Sequence, residues 1–223
     1  MMFSVNKFAK RLRVSSIHVL APVFLGVIVC AFVASCNQQE EERKLPILGQ
    51  KDINGSDTIY HTIGPFKFVD QDSSIITNET VKGKIYVADF FFTSCRTICP
   101  VMKTQMLRVY ESIKDDPQVL LVSHTIDPEY DTVGLLHDYA DRLGVKTDKW
   151  HFLTGNKDSI YYVAQTGYFA TAMEDSDEPG GFIHSGAFLL IDKKGRIRGK
   201  YDGTNTEEVN KLLKDIAVLE KRG

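Results

Sequence analysis

Apolar and polar positions follow two rhythms along this chain. Ile85 to Phe92 is a continuous run, Ile-Tyr-Val-Ala-Asp-Phe-Phe-Phe, rich in β-branched and aromatic residues and preceded by Gly83. It predicts a buried central strand. The run breaks at Thr93-Ser94. After Pro100, Val101, Met102, Met106, Leu107, Val109 and Tyr110 recur at spacings of three and four. That spacing predicts a helix with Pro100 in its first turn. Gln118–Ile126 predicts the next buried strand, opened by Pro117 and closed by Asp127-Pro128. Thr132–Leu143 has helical spacing and stops at Gly144, and Trp150–Leu153 predicts a short strand. Asp158–Tyr168 predicts a helix, Met173–Gly181 a loop, and His184–Asp192 with Arg196–Tyr201 a hairpin. Glu207–Leu219 closes the chain as an amphipathic helix. Ahead of the central strand, Ile59–Val69 and Ser74–Thr77 predict an N-terminal hairpin around short turns.

Strands alternate with helices and end in a hairpin. That order predicts an α/β fold, a mixed sheet with helices on both faces. The first strand-to-helix junction carries Cys95 and Cys99, where such folds place chemistry. Together these features predict a thioredoxin-like sheet with an N-terminal hairpin extension.

Residues 1–35 have a different character. Lys7, Lys10, Arg11 and Arg13 precede an uncharged apolar run from about Val14 to Val33, the order of an export signal. The run ends Val33-Ala34-Ser35-Cys36, which resembles a bacterial lipobox, with cleavage before Cys36 and lipid on it. An uncleaved transmembrane anchor is the alternative, since the run is about long enough to span. Either way the body is held at a membrane outside the cytoplasm, in the periplasm of a bacterium with two membranes. Residues 36–58 are then a tether, which begins with the polar stretch Asn37–Lys44, and residues 59–223 are the folded domain. Removing residues 1–35 takes away four basic and no acidic side chains, leaving 23 Lys and Arg against 29 Asp and Glu. A mildly acidic body without a basic patch argues against nucleic acid as a partner.

The leader also simplifies the cysteines. Cys30 lies in the apolar run and Cys36 at its end, so only Cys95 and Cys99 belong to the body. A lone pair is not a disulfide framework. In an oxidising compartment it is kept reduced by a thiol reductant or it cycles. A helix N-terminus favours negative charge, so the pair should be pushed toward thiolate, and Cys99, nearer the helix, should have the lower pKa. Two thiolates and one imidazole would make a soft site suited to copper(I), with zinc tolerated. His61, His137 and His151 lie on elements where a surface or core role suffices. His124, near the end of a central strand, and His184, after a Gly-rich loop, remain level as the imidazole source. Met102 and Met106 suit a core helix face better than thioether ligation. Asp127 is either an outer acceptor tuning the site or the cap of a turn with Pro128.

The residues Phe91-Phe92-Thr93-Ser94-Cys95, Cys99-Pro100, Ile126-Asp127-Pro128, Asp131-Thr132, Leu153-Thr154-Gly155 and His184-Ser185 resemble those of the Sco/SenC family. The resemblance runs from about Ile59 to the C-terminus. Arg96 and Thr97 depart from it, since many members have Pro and then Asp or Asn there. The resemblance implies a thioredoxin-like copper chaperone for cytochrome c oxidase assembly, with Cys95, Cys99 and His184 as metal ligands. It also implies the copper-bearing oxidase subunit as partner. The alternative is a thiol-disulfide reductase, with Cys95 and Cys99 as a redox-active pair acting on cysteines of a copper-accepting partner. A chaperone needs His184 and a reductase does not.

Overall fold

The computed structural model describes residues 44–174, 182–184 and 186–221, excepting the side chains of 172, 174 and 182–184. The expected leader and Cys36 lie outside the described residues. Among the described residues no helix is long and apolar enough to cross a membrane.

Five strands make the main sheet: Ile85–Phe91 (β5), Val119–Thr125 (β6), Trp150–Leu153 (β7), Ala187–Ile191 (β10) and Ile197–Asp202 (β11), in the order β11-β10-β5-β6-β7. β5, β6 and β7 are mutually parallel; β10 is antiparallel to both β5 and β11. Every residue of β5, β6, β7 and β10 is buried. Strands covered on both faces need apolar side chains at successive positions, which explains the continuous runs.

The first crossover helix is Cys99–Ile113 (α2), with Pro at its start and Met102, Met106, Val109, Tyr110 and Ile113 buried along one side. The second is Val133–Leu143 (α3). Thr132 caps its first turn by accepting from the Leu135 N–H, and Gly144, at φ 68°, ends it in the left-handed conformation that glycine adopts without a Cβ clash. The last helix, Thr206–Glu220 (α5), is tied to α2 by Gln105–Thr206 (3.0 Å) and Arg108–Asn210 (2.6 Å). A short helix, Asn78–Val81 (α1), precedes β5. Lys157–Tyr162 (α4) continues into a π-helical turn, Val163–Gly167.

The N-terminal part is more structured than its polar composition suggests. Lys51–Asn54 (β1) and Asp57–Tyr60 (β2) form a hairpin exposed at every residue, within and just beyond the segment expected as tether. Leu45 is buried, and the Leu48 N–H donates to the Ile197 carbonyl at 2.8 Å. A second hairpin, Lys67–Val69 (β3) with Ile75–Thr77 (β4), joins the sheet's far edge through a Val69–Thr154 bridge. The expected hairpin from Ile59 to Thr77 is therefore two hairpins. The expected loop from Met173 also begins as a strand: Ala172–Glu174 (β8) pairs with Phe182–His184 (β9). The strand expected from His184 is thus split between β9 and β10.

Candidate thiol and metal site

β5 ends at Phe91, and Phe92 and Thr93 lead into a turn in which the Cys95 N–H donates to the Phe92 carbonyl at 3.2 Å. Four residues later Cys99 opens α2. Both cysteines are thiols, both are 7% exposed, and the Cys99 thiol hydrogen-bonds to the Cys95 sulfur. The structure therefore brings together the two cysteines singled out from the sequence.

Their ionisation runs opposite to the expectation that Cys99 has the lower pKa. Burial pushes the Cys95 thiol up, but hydrogen bonds from the Thr97 and Cys99 side chains and from the Cys99 and Thr97 backbones outweigh it. Cys95 ends below the ordinary cysteine range. Cys99 is raised well above it by burial, by its bond to Cys95, and by the charges of Cys95 and Asp89, with only the Phe92 backbone acting the other way. The reason is directional. The unpaired N–H groups of a helix start point away from the helix, and here the backbone of Cys99 itself serves the sulfur that precedes it.

Beneath Cys99 lies a cavity of about 20 Å³, near the size of one water, bordered by Asp89, Met102, Lys103, Ser123 and Tyr139 among others. Asp89 is 5% exposed, and burial raises its carboxyl to about 7 although Ser123 donates a hydrogen bond to it. Trp150 Nε1 donates in turn to Ser123 Oγ at 2.8 Å. Asp89 was not singled out from the sequence. Its signal was a carboxyl inside a buried strand, a placement that costs free energy without partners. Met102 and Met106 are 2% and 1% exposed and belong to the core. Phe90, Phe91 and Phe92 are buried as well.

The other histidines are placed separately. His61 Nε2 bonds the Gly167 carbonyl at 2.7 Å, His137 pairs at the surface with Asp72 at 3.0 Å, and His151 pairs with buried Asp70 at 3.0 Å. His124 is fully buried against Phe66, Phe68, Phe90 and Tyr168, and among the described residues neither ring nitrogen has a hydrogen-bond partner. His184 ends β9, paired in register with Ala172, and its ring lies outside the described side chains. Two residues on, a Cβ built on Gly186 would meet Ile98 Cδ1 at 3.4 Å and Met102 Sδ at 3.9 Å. Gly186 therefore lies against the start of α2. Among the described residues no three His, Cys, Asp or Glu side chains converge on one point.

Asp127 occupies a turn. Its carboxylate accepts from the Tyr130 N–H at 3.4 Å, and burial, resisted by that bond, raises its pKa. Asp127 therefore caps this turn.

The family model described as SCO1/SenC matches residues 55–219. A SCO1/SenC family lipoprotein from Bacillus anthracis is similar at 28% identity and TM-score 0.66, over 72% of this chain and 95% of that one. BsSco, a member of the Sco family of cytochrome c oxidase assembly proteins with a disulfide switch, is similar at 29% identity and TM-score 0.63, over 71% and 93%. Bradyrhizobium japonicum ScoI with copper bound is similar at 26% identity and TM-score 0.58, over 70% and 99%.

Proposed function

Since the chain belongs to the SCO1/SenC family, we propose that it is a membrane-anchored copper-binding protein that delivers copper to cytochrome c oxidase or prepares its copper site. The observation that carries this is the pair of hydrogen-bonded thiols at the β5–α2 junction, one of them with a lowered pKa. Two adjacent sulfur donors suit copper(I), which accepts low coordination and prefers soft ligands. The copper-bound ScoI neighbour and the oxidase-assembly role of BsSco support the assignment. His184 is the third ligand in this reading. Support comes from Gly186, two residues on, where a Cβ would meet Ile98 at 3.4 Å and Met102 at 3.9 Å, beside the helix start that carries Cys99. Asp127 then serves as an outer acceptor as well as a cap. Residues 1–35 act as a lipoprotein signal, Cys36 carries the lipid and residues 36–58 lead to the domain. The lipoprotein character of the Bacillus anthracis neighbour supports this anchor.

The structure also favours a second reading, thiol-disulfide exchange on the copper-accepting partner. A lowered Cys95 beside a raised Cys99 is the asymmetry of an attacking thiol and a resolving one. Copper analysis of the purified protein, after reduction and loading, tests the first reading against the second. Removing either thiol should abolish stable copper binding, whereas His184→Ala should bind more weakly and exchange copper faster. Full oxidase activity at limiting copper in a His184→Ala strain would reject copper delivery and leave the reductase.

A further inference from the structure

Asp131 lies between the turn that follows β6 and the start of α3, and it is fully buried. Among the described residues its carboxylate is held by neutral donors. The Thr93 N–H donates to Oδ2 at 3.1 Å, the Thr93 hydroxyl donates to Oδ1, and the Thr125 hydroxyl donates to Oδ2 at 2.5 Å. Thr93 begins the turn to Cys95, and Thr125 ends β6. The same Thr125 oxygen accepts from the Asp127 N–H at 3.0 Å, and the Asp131 N–H donates to the Asp127 carbonyl at 2.8 Å. One carboxylate therefore fastens the loop of the cysteines to the segment of Asp127. A buried carboxylate is expensive, and a turn alone does not require one. Two hydroxyls and an N–H converge on the two oxygens of this one side chain and are held together by it.

We propose that Asp131 is a positioning residue for Cys95, holding the Thr93–Cys95 loop in the geometry that keeps the pair as thiols. The inference rests on Cys95 and Cys99 being the working thiols of the function proposed above, and it adds the strut that sets their spacing. In the clamped loop, the Thr97 and Cys99 backbones and the Cys99 thiol all bond the Cys95 sulfur. A disulfide forfeits the last of these bonds and asks the loop to shift. Slack at Thr93 therefore favours the disulfide.

The test equilibrates the metal-free full chain, in detergent, with glutathione buffers. The protein dithiol and oxidised glutathione go to protein disulfide and two reduced glutathiones, so each thiol proton leaves on a glutathione. Differential alkylation and mass spectrometry of the peptide holding Cys95 and Cys99 keep any other cysteine out of the reading. Asp131→Asn and Thr93→Val should each move the equilibrium about tenfold toward disulfide, equivalent to about 30 mV for a two-electron couple. The double variant should move it no further, because both changes cut one clamp. Thr93→Ser, which keeps the hydroxyl, should match the parent. If Asp131→Asn does not fold, the two Thr93 variants carry the test. A purely structural strut would lower thermal stability and leave the equilibrium unmoved, and that result, or additive effects in the double variant, overturns the proposal. Because no copper is present, failure of the protein to bind copper rejects the copper reading without altering this outcome.

Discussion

Asp89 on β5 and His124 on β6 are buried one residue apart in register and look out from opposite faces of the sheet. The two faces treat an ionisable group differently. On the face of α2 and α3, Asp89 receives the Ser123 hydroxyl, Ser123 receives the Trp150 indole, and a water-sized cavity separates this group from Cys99. On the other face, His124 stacks on Phe90 at 5.1 Å with Phe66, Phe68 and Tyr168 around it and no hydrogen bond among the described residues. Burial neutralises both, raising Asp89 to about 7 and lowering His124 to about 3. Polarity is thus supplied where the thiols are and withheld behind them. The two groups also pull stability in opposite directions with pH. His124 binds its proton only in the unfolded chain between about 6.5 and 3, so its contribution is lost as pH falls. Asp89 holds its proton only in the folded chain between about 3.8 and 7, so its contribution is lost as pH rises. Across about pH 4–6.5 the two nearly cancel.

His124→Leu should break that balance most. Removing two unpaired buried polar atoms should stabilise the protein by about 1–2 kcal/mol at pH 7. The advantage over the parent should then widen by roughly 1.4 kcal/mol for each pH unit below 6.5. Urea unfolding followed by the fluorescence of Trp150, the single tryptophan, reads both effects. A difference that stays constant from pH 7 to pH 4 would mean that His124 finds a partner when protonated.

Asp89→Asn tests the other face with a side chain of the same shape that still accepts from Ser123. Its stability relative to the parent should grow as pH rises from about 4 to 7, by up to roughly 1.4 kcal/mol per unit, and level off above. The slope has the opposite sign to that of His124→Leu. Equal signs in the two difference curves would overturn the assignment of neutral forms to the folded state.

The contrast between the faces was half legible in the sequence. Ile85–Phe92 and Gln118–Ile126 announced their strands because burial on both sides demands uninterrupted apolar residues, and the junction at Cys95–Cys99 followed from the change of period. The β1–β2 hairpin gave no such signal, since Lys51–Asn54 and Asp57–Tyr60 bury neither face. β8 was hidden because Met173 sits at the head of an acidic stretch, and backbone pairing rather than side-chain pattern makes that strand. The order of the thiol pKa values depended on where the N–H groups of Thr97 and Cys99 point, a direction that spacing does not encode. The clamp at Asp131 joins residues 38 apart, and although both stretches carry the family resemblance, neither marks the bond between them.

The smallest expected effect sharpens the comparison most directly. Ser123→Ala removes the one side-chain donor described for Asp89 and leaves the Trp150 Nε1–H without its acceptor. Losing these bonds should cost about 1–2 kcal/mol at pH 5, where Asp89 is neutral in the folded protein. The Ser123 bond lowers the Asp89 pKa, so its loss should carry that pKa above 7. The decline of stability with rising pH, read as the difference between Ser123→Ala and the same variant carrying Asp89→Asn, should then extend to higher pH. The acid limb assigned to His124 should not move, because Ser123 and His124 are successive residues on opposite faces of one strand. If both limbs shift together, the two faces share one polar network and the dry character of the His124 side is lost. If only the Asp89 limb shifts, hydrogen bonding by Ser123 is what separates a buried acid poised near neutrality from a buried base held uncharged.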